Sequence, residues 1–381
     1  MKDAGRRPEA DLSLPTRLLA RAGPRRPGVA SAVRLNAVRA RGVRSTLRQR
    51  AFFRDAVPRL EEARRITYRR IWTDAAGRVG AGLVDLGDDF LLIHKNGRET
   101  VVRQNRVTLN DAVGMELSRD KVLVNRLLSE AGLRVPRRTE VDASDPALAL
   151  PFFSEAKPCV VKPASGTAGG GGVTGGVQTD DDLWRVCMDL SRWIDKVVVE
   201  ETVAGTEYRL TFLDGELLDA VERRPPSVVG DGISTVGELV QLENRRRIDS
   251  SQHDELRVLR IDFDMMLTLK HAGLSLQTVP GPGRRIQVKT AVSENARAEN
   301  STVSNLSAGL IRDAARATRL AHVRLAGVDL VASETSDSLQ GDDGAILEVN
   351  SPTGLHYHYL VADAEAATPI AVPILERLLE P

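Results

Sequence analysis

The sequence predicts a mixed α+β fold. Three observations carry this: short apolar runs of period two, tight-turn dipeptides between them, and helix-spaced segments that end on their own terminators. The chain has 381 residues, 42% hydrophobic and 28% charged, enough for two or three domain-sized units with a substantial core.

Residues 1–50 carry thirteen Lys or Arg against Asp3, Glu9 and Asp11, a local charge of +10 in a chain whose total is +1. The remaining 331 residues are therefore mildly acidic, at −9. Pro8, Pro15, Pro24 and Pro27 break the first half of this segment and apolar content is low, so a disordered basic tail is expected over 1–50. It offers no continuous apolar stretch for a signal peptide or a membrane span. Its basic charge suits an anionic surface or nucleic acid, but no aromatic residue precedes Phe52, which removes base stacking and disfavours a nucleic-acid partner. A transit peptide or an early start codon fits the segment equally well.

A small β-rich region is expected over 51–115. Ile66-Thr67-Tyr68 and Leu91-Leu92-Ile93 read as strands, and Ala76-Gly77, Gly87-Asp88 and Asn96-Gly97 as turns. Val124, Leu127, Leu128 and Ala131 then recur at helical spacing until Gly132. Cys159 to Pro163 reads as a buried strand, followed by the Gly-rich loop 164–172 and a second strand near 173–177. A helix fits 180–194 and a strand Val197 to Glu200. Residues 208–213 and 216–221 form a hairpin across Asp214-Gly215. Helices fit 234–247, 305–325 and 365–379. Cys159 and Cys187 follow no metal spacing, and with no disulfide framework a reducing cytoplasm is expected.

The chemistry concentrates in Gly327-Val328-Asp329-Leu330-Val331 and Ile346-Leu347-Glu348-Val349-Asn350. Glu348 and Asn350 are two apart, so on a strand both face one way, and Asp329 fits beside them on a neighbouring strand. Two carboxylates and an amide suit a hard cation such as Mg²⁺; the bland alternative is a solvated sheet face. The glycine loop offers backbone N–H groups to an anion, yet lacks the Gly-Lys-Ser/Thr of a Walker loop, and a strand follows it where a dinucleotide fingerprint needs a helix. As structure alone it is a surface loop. The segment Val199 to Arg209 opens from a strand into a linker whose free backbone groups could meet an adenine edge, with Glu207 seven residues beyond Glu200 for ribose hydroxyls. Arg209, Arg223, Arg224 and Lys289 could face phosphoryl charge, although most arginines are simply solvated. The six histidines form neither a triad nor a zinc pattern.

Lys162-Pro163 with its Gly loop, Val198-Val199-Glu200 with Val203, Gly205, Glu207 and Arg209, Gly327-Val328-Asp329, and Glu348-Val349-Asn350 occur in an order that resembles the ATP-grasp superfamily. Val228-Val229-Gly230-Asp231-Gly232, continuing to Val240 after Arg224-Pro225, is similar to a segment of the cyanophycin synthetase and glutathione synthetase type. The resemblance covers about 108–360. It implies an ATP-grasp fold over 116–381, with a lid subdomain at about 157–204 and a metal-binding C-terminal subdomain at 205–381.

It also implies roles. Lys121 and Lys162 would contact ATP phosphates, and Ser165, Gly166, Gly169, Gly170 and Gly171 would close over them. Glu200, Glu201 and Val203 would hold adenine, and Glu207 the ribose. Asp329, Glu348 and Asn350 would bind Mg²⁺ or Mn²⁺, while Arg209, Lys289 and Asn295 would face the transferring phosphoryl group. The chain departs from the relatives in its run of four glycines (Gly169 to Gly172), in Glu299 and Asn300 where they carry glycines, and in the position of Pro352. The implied activity is ATP-dependent ligation of a carboxylate to an amine through an acyl phosphate, on amino acid or short peptide substrates, in an enzyme that often forms a homodimer. Two alternatives remain: a kinase-like protein that stops at phosphorylation, and a nucleotide-binding regulator without ligase activity.

Overall fold

The structure is a computed structural model that describes residues 29–165, 171–333, 337–339 and 344–380, with side chains from residue 52 onward. The chain divides into two units, 1–55 and 56–381; apart from the start of helix α1, the second holds every feature discussed below. Helix α1 runs Val29–Val79. Helix α1 thus includes residues 29–50 of the segment expected as a basic tail. Between Pro27 and Pro58 the sequence is free of proline and rich in Ala and Arg, which favour helix. Residues 1–28 lie outside the described part.

The strand expected at Ile66-Thr67-Tyr68 is also helix. Three adjacent β-formers suggested a strand, but the buried residues Thr67, Tyr68, Ile71, Trp72, Ala75 and Ala76 recur at 3.6 spacing and line one face of α1. Only the later part of 51–115 is sheet: β1 (Gly82–Gly87), β2 (Phe90–Lys95) and β3 (Arg98–Arg103), an antiparallel meander. Asn96 and Gly97 both take positive φ, as a two-residue hairpin with the twist of its strands requires.

Helices α2 (Ala112–Arg119) and α3 (Lys121–Glu130) are capped by the Asp111 and Asp120 carboxylates, which accept from the first-turn N–H groups. Strand β4 (Arg138–Asp142) and helix α4 (Leu150–Ala156) lead to β5 (Cys159–Pro163), β6 (Thr174–Val177), α5 (Asp180–Leu190) and β7 (Lys196–Glu201). These strands form an antiparallel sheet in the order β4-β7-β5-β6, with Phe153, Leu183 and Val186 packed on one face.

Next come β8 (Thr206–Leu213) and β9 (Glu216–Arg223) across the predicted Asp214-Gly215 turn. A lobe follows, built from β10 (Ser227–Val229), α6 (Val236–Asp249), α7 (Phe263–His271) and β11 (Arg285–Gln287). Thr235 and Glu238 close a capping box at the start of α6. Strand β12 (Asn300–Thr302), helix α8 (Ala308–Leu320), β13 (Leu325–Ala332), β14 (Gly344–Asn350) and helix α9 (Ala371–Leu379) complete the fold.

The second large sheet is antiparallel throughout, in the order β12-β9-β8-β13-β14. One face packs on α3 and α8 through Leu128, Leu310, Ala314 and Ala317. A separate cluster joins α1, the N-terminal meander and α9 through Tyr68, Trp72, Ile93 and Ile374. Two α+β subdomains, each built on its own antiparallel sheet, give the expected ATP-grasp architecture. No described helix is long and apolar enough to cross a membrane.

Trp72 is fully buried, and its Nε1–H donates to the Gln104 carbonyl oxygen at 2.7 Å. Trp72→Ala should cost about 3–5 kcal/mol, read as a lowered urea midpoint with unchanged slope. A surface position on a β-meander would show almost no change.

Candidate active site

The site is built on three neighbouring strands. Asp329 on β13 stands opposite Arg209 on β8 and opposite Glu348 on β14. Asn350, two residues beyond Glu348, donates its Nδ2–H to Asp329 Oδ2 at 3.0 Å. The structure therefore brings together the predicted metal set of Asp329, Glu348 and Asn350, on adjacent strands as the period-two pattern required.

Asp329 is held by cations. Arg209 donates Nε–H to Oδ1 and Nη2–H to Oδ2, the latter at 2.6 Å, and Arg223 Nη1 lies 3.8 Å from Oδ1. Burial alone would push the Asp329 carboxyl up, but Arg209 and then Arg223 hold it below the usual range. Burial likewise opposes charge on Arg209, and Asp329 outweighs it. Gly327, two residues before Asp329 on β13, makes room for this pair. A Cβ there would stand 3.0 Å from Arg209 Cδ and 2.3 Å from Thr353 Oγ1. Glu207, on the same face of β8, accepts from Arg223 Nη1 at 3.3 Å. Burial pushes its carboxyl up to about 7, assisted by the nearby Asp329 and opposed by Arg223.

Tyr357, in the short 3₁₀ turn Leu355–His358 after β14, lies beneath both guanidiniums. Arg223 Cζ is 4.4 Å and Arg209 Cζ 5.0 Å from its ring centre. Sequence reasoning missed Tyr357; its one signal was an aromatic cluster just past the acidic strand. His358 ends the same 3₁₀ turn. It is buried between Asp219 Oδ2 (2.6 Å from Nδ1) and Thr211 Oγ1 (2.7 Å from Nε2). Burial lowers its pKa, so the ring is neutral, and because a carboxylate only accepts, Nδ1 carries the proton.

The predicted phosphate lysines occupy two places. Lys121 is the first residue of α3, placed there by the Asp120 cap, and its Nζ is 3.4 Å from Glu348 Oε1. Lys162 on β5 reaches diagonally to Glu200 on the neighbouring β7, at 2.8 Å. Ser165 follows β5 and is exposed, and Gly171 is half-buried. Gly166, Gly169 and Gly170 lie outside the described residues.

Glu201 turns away from Lys162. Its carboxylate accepts from Arg134, Arg137 and the Arg137 backbone N–H, which fastens the end of β7 to the chain entering β4. Its side chain is committed to structure. Val203 sits in the linker between β7 and β8, and its N–H has no backbone partner among the described residues.

Lys289 and Asn295 stand outside the Asp329 cluster. Lys289 is buried between Asp262 (2.6 Å) and Glu294 (2.9 Å), and these acids keep it charged against the cost of burial. Asn295 donates to the Arg224 carbonyl oxygen at 3.1 Å and to Asn300 Oδ1 at 2.8 Å. This corner still adjoins the site, because Arg223 also donates to the Val292 carbonyl oxygen at 3.3 Å.

No described group of three or more His, Cys, Asp or Glu side chains forms a metal cage. The donor set is instead two carboxylates and an amide, with Glu348 about one-third exposed and balanced by a single lysine. Such oxygens fit a hard divalent cation that keeps water or phosphate oxygens in its shell.

Two antiparallel sheets, one carrying a Lys-Glu pair and the other a cross-strand Asp-Glu-Asn face, match the ATP-grasp arrangement that the sequence resemblance implies. The comparisons refine this. The chain is 27% identical over 283 residues to the cyanophycin synthetase of Trichormus variabilis, covering 72% of this chain and 30% of that protein. It is 28% identical over 317 residues to the glutathione biosynthesis bifunctional protein GshAB of Listeria innocua, covering 81% and 41%. Among solved structures it is similar to a bifunctional glutathione synthetase from Pasteurella multocida, with TM-score 0.49, 22% identity and coverage of 78% and 41%. No family model matches. Over most of its length the chain is similar to proteins of the cyanophycin synthetase and glutathione synthetase type, and it spans less than half the length of these relatives.

The raised Glu207 pKa has a signed consequence. The folded value near 7 exceeds the ordinary 4.5, so proton binding contributes stability that is fully present below about pH 4.5 and lost as pH rises through 7. Urea denaturation of wild type and Glu207→Gln should therefore show wild type relatively more stable at pH 5 than at pH 8. A difference independent of pH would mean that Glu207 titrates normally.

Proposed function

We propose that this protein is an ATP-dependent carboxylate–amine ligase, releasing ADP and phosphate and acting on amino acid or short peptide substrates. The observation that carries the reading is the Asp329–Glu348 pair across β13 and β14, with Asn350 alongside, Arg209 and Arg223 on one carboxylate and Lys121 on the other. This is a strip of oxygens edged with fixed cations, suited to a triphosphate. Relatives named as cyanophycin synthetase and as a glutathione biosynthesis protein support the same reaction class.

In this reading Lys121 and Lys162 neutralise phosphate oxygens, and the unpaired backbone of the linker at Val203 meets the adenine edge. Glu207 accepts from the ribose, Ser165 and Gly166 to Gly171 cover the phosphates, and Glu201 acts only by holding β7. Asp329, Glu348 and Asn350 hold Mg²⁺ or Mn²⁺, which when bound supplies charge neutralisation between phosphates. The substrate carboxylate attacks the γ-phosphorus and ADP leaves. The amine then attacks the acyl phosphate carbon, and phosphate leaves with formation of the amide. Arg209 and Arg223 stabilise negative charge in both steps, since fixed cations in a dry site need no reorganisation. Lys289 and Asn295 support them through the Val292 contact. The chain supplies no side-chain nucleophile because the acyl phosphate is the activated species.

The test is ADP and phosphate release with Mg-ATP over amino acids and dipeptides, singly and in pairs, for wild type and Glu348→Ala. Release that requires a pair, gives a product lighter than that pair by one water, and falls at least about a hundredfold in the variant is the expected result. Release with one substrate and no amide would favour a phosphorylating enzyme, and failure to bind ATP would overturn the assignment.

A further inference from the structure

Near Tyr357 and His356 lies a second region rich in positive charge. Three elements meet there. Ala63 of α1 packs with Leu256 and Leu360. Thr67 Oγ1 donates to the His253 carbonyl oxygen at 2.9 Å, and Tyr68 Oη lies 2.9 Å from His356 Nδ1. His356 in turn stacks on Tyr357, with ring centres 4.1 Å apart. Next to the Ala63–Leu256 contact stand Arg64 and Arg257, both half-buried.

Neither guanidinium forms a hydrogen bond or ion pair with any described residue, and Arg257 Nε is fully buried without a partner. Four nearby carboxylates are committed elsewhere. Glu294 binds Lys289 and the Arg260 backbone N–H, Asp254 binds Ser250 and Arg297, Glu255 binds Arg246, and Glu62 pairs with Arg65. Buried guanidiniums ordinarily carry partners, because desolvating an unpaired charge is expensive. Burial lowers the Arg257 pKa, Tyr357 opposes this, and Arg64 adds to the lowering, so the two guanidiniums repel each other where a ligand could relieve them.

We infer that Arg64 and Arg257 form a binding site for a carboxylate of the substrate that does not react, anchoring it across Tyr357 from the phosphoryl-transfer strip at Arg209 and Arg223. The planar guanidinium fork matches a carboxylate in two parallel hydrogen bonds. The cations assigned to phosphate, Lys121 and Lys162, belong to other elements and leave this pair for a second anion. The site implies a substrate with a free terminal or side-chain carboxylate besides the reacting groups. The assignment rests on the ligase reading for its place in the reaction, though not for the existence of the site.

Two measurements test it. In the first, the full chain is labelled with phenylglyoxal and mapped by peptide mass spectrometry, alone or with L-glutamate, inorganic phosphate or ATP. Arg257 should label in the free protein and be protected several-fold by glutamate but not by phosphate at equal concentration. Protection by phosphate or ATP would assign the pair to the nucleotide instead, and absence of labelling or of any protection would overturn the site.

In the second, Arg257→Gln and Arg64→Gln are assayed on the productive pair from the ADP-release panel. KM for the free acid should rise about tenfold or more, as loss of a charged hydrogen bond implies. KM for the corresponding C-terminal or side-chain amide and for ATP should stay within about twofold. Equal loss for acid and amide would mean a structural role and reject the proposal. If no pair releases ADP, the ligase reading fails, and the labelling result alone decides whether the carboxylate site exists.

Discussion

The buried pair of Arg209 and Asp329 is the constraint around which the larger sheet is arranged. Its two members face each other on β8 and β13, both nearly inaccessible to water. Desolvating either charge alone would cost several kcal/mol, so each requires the other, and a hydrogen bond from Asn350 and the charge of Arg223 at 3.8 Å complete the pair. A slip of one residue between these strands would leave the two charges on opposite faces of the sheet. The pair thereby fixes the register of β8 on β13, and with β14 opposed to β13 it sets where Glu348 and Asn350 stand.

Charge is balanced locally throughout the site. Lys162 answers Glu200, Lys121 answers Glu348, and Lys289 sits between Asp262 and Glu294. Each is an opposite-sign contact that an anionic ligand can enter by exchanging partners, without exposing a bare charge. The aromatic ring of Tyr357 serves the same end differently. It offers a polarisable face to two guanidiniums, steadying them without consuming the hydrogen-bond donors that point toward Asp329.

Much of this was legible in the chain. The Glu348–Asn350 alternation, the Asp214-Gly215 hairpin and the Lys162 strand before the glycine loop are local signals, and local signals survive into the fold. What failed or stayed hidden depended on distant partners. Ile66-Thr67-Tyr68 has strand propensity, but packing of Tyr68 and Trp72 against β2, β3 and α9 overrides it. Glu201 looked equivalent to Glu200 because they are neighbours, yet a strand sends neighbours to opposite faces, and Arg134 and Arg137 take Glu201. Lys289 gave no sign of its acidic partners, since Asp262 lies 27 residues before it. Tyr357 was invisible because its role depends on two arginines brought in from β8 and β9.

Gly327 shows how tightly these positions are bound to one another. The Arg209 side chain crosses the space that a side chain at 327 would fill, and Thr353 closes the same space from the turn after β14. Three residues distant in sequence thus share a single small volume. A larger residue at any one of them would need a smaller or rearranged neighbour at another, so their substitutions are energetically coupled and do not add. Among descendants of this chain, change at these positions would come as a set, leaving a covarying triplet beside an otherwise independent glycine loop.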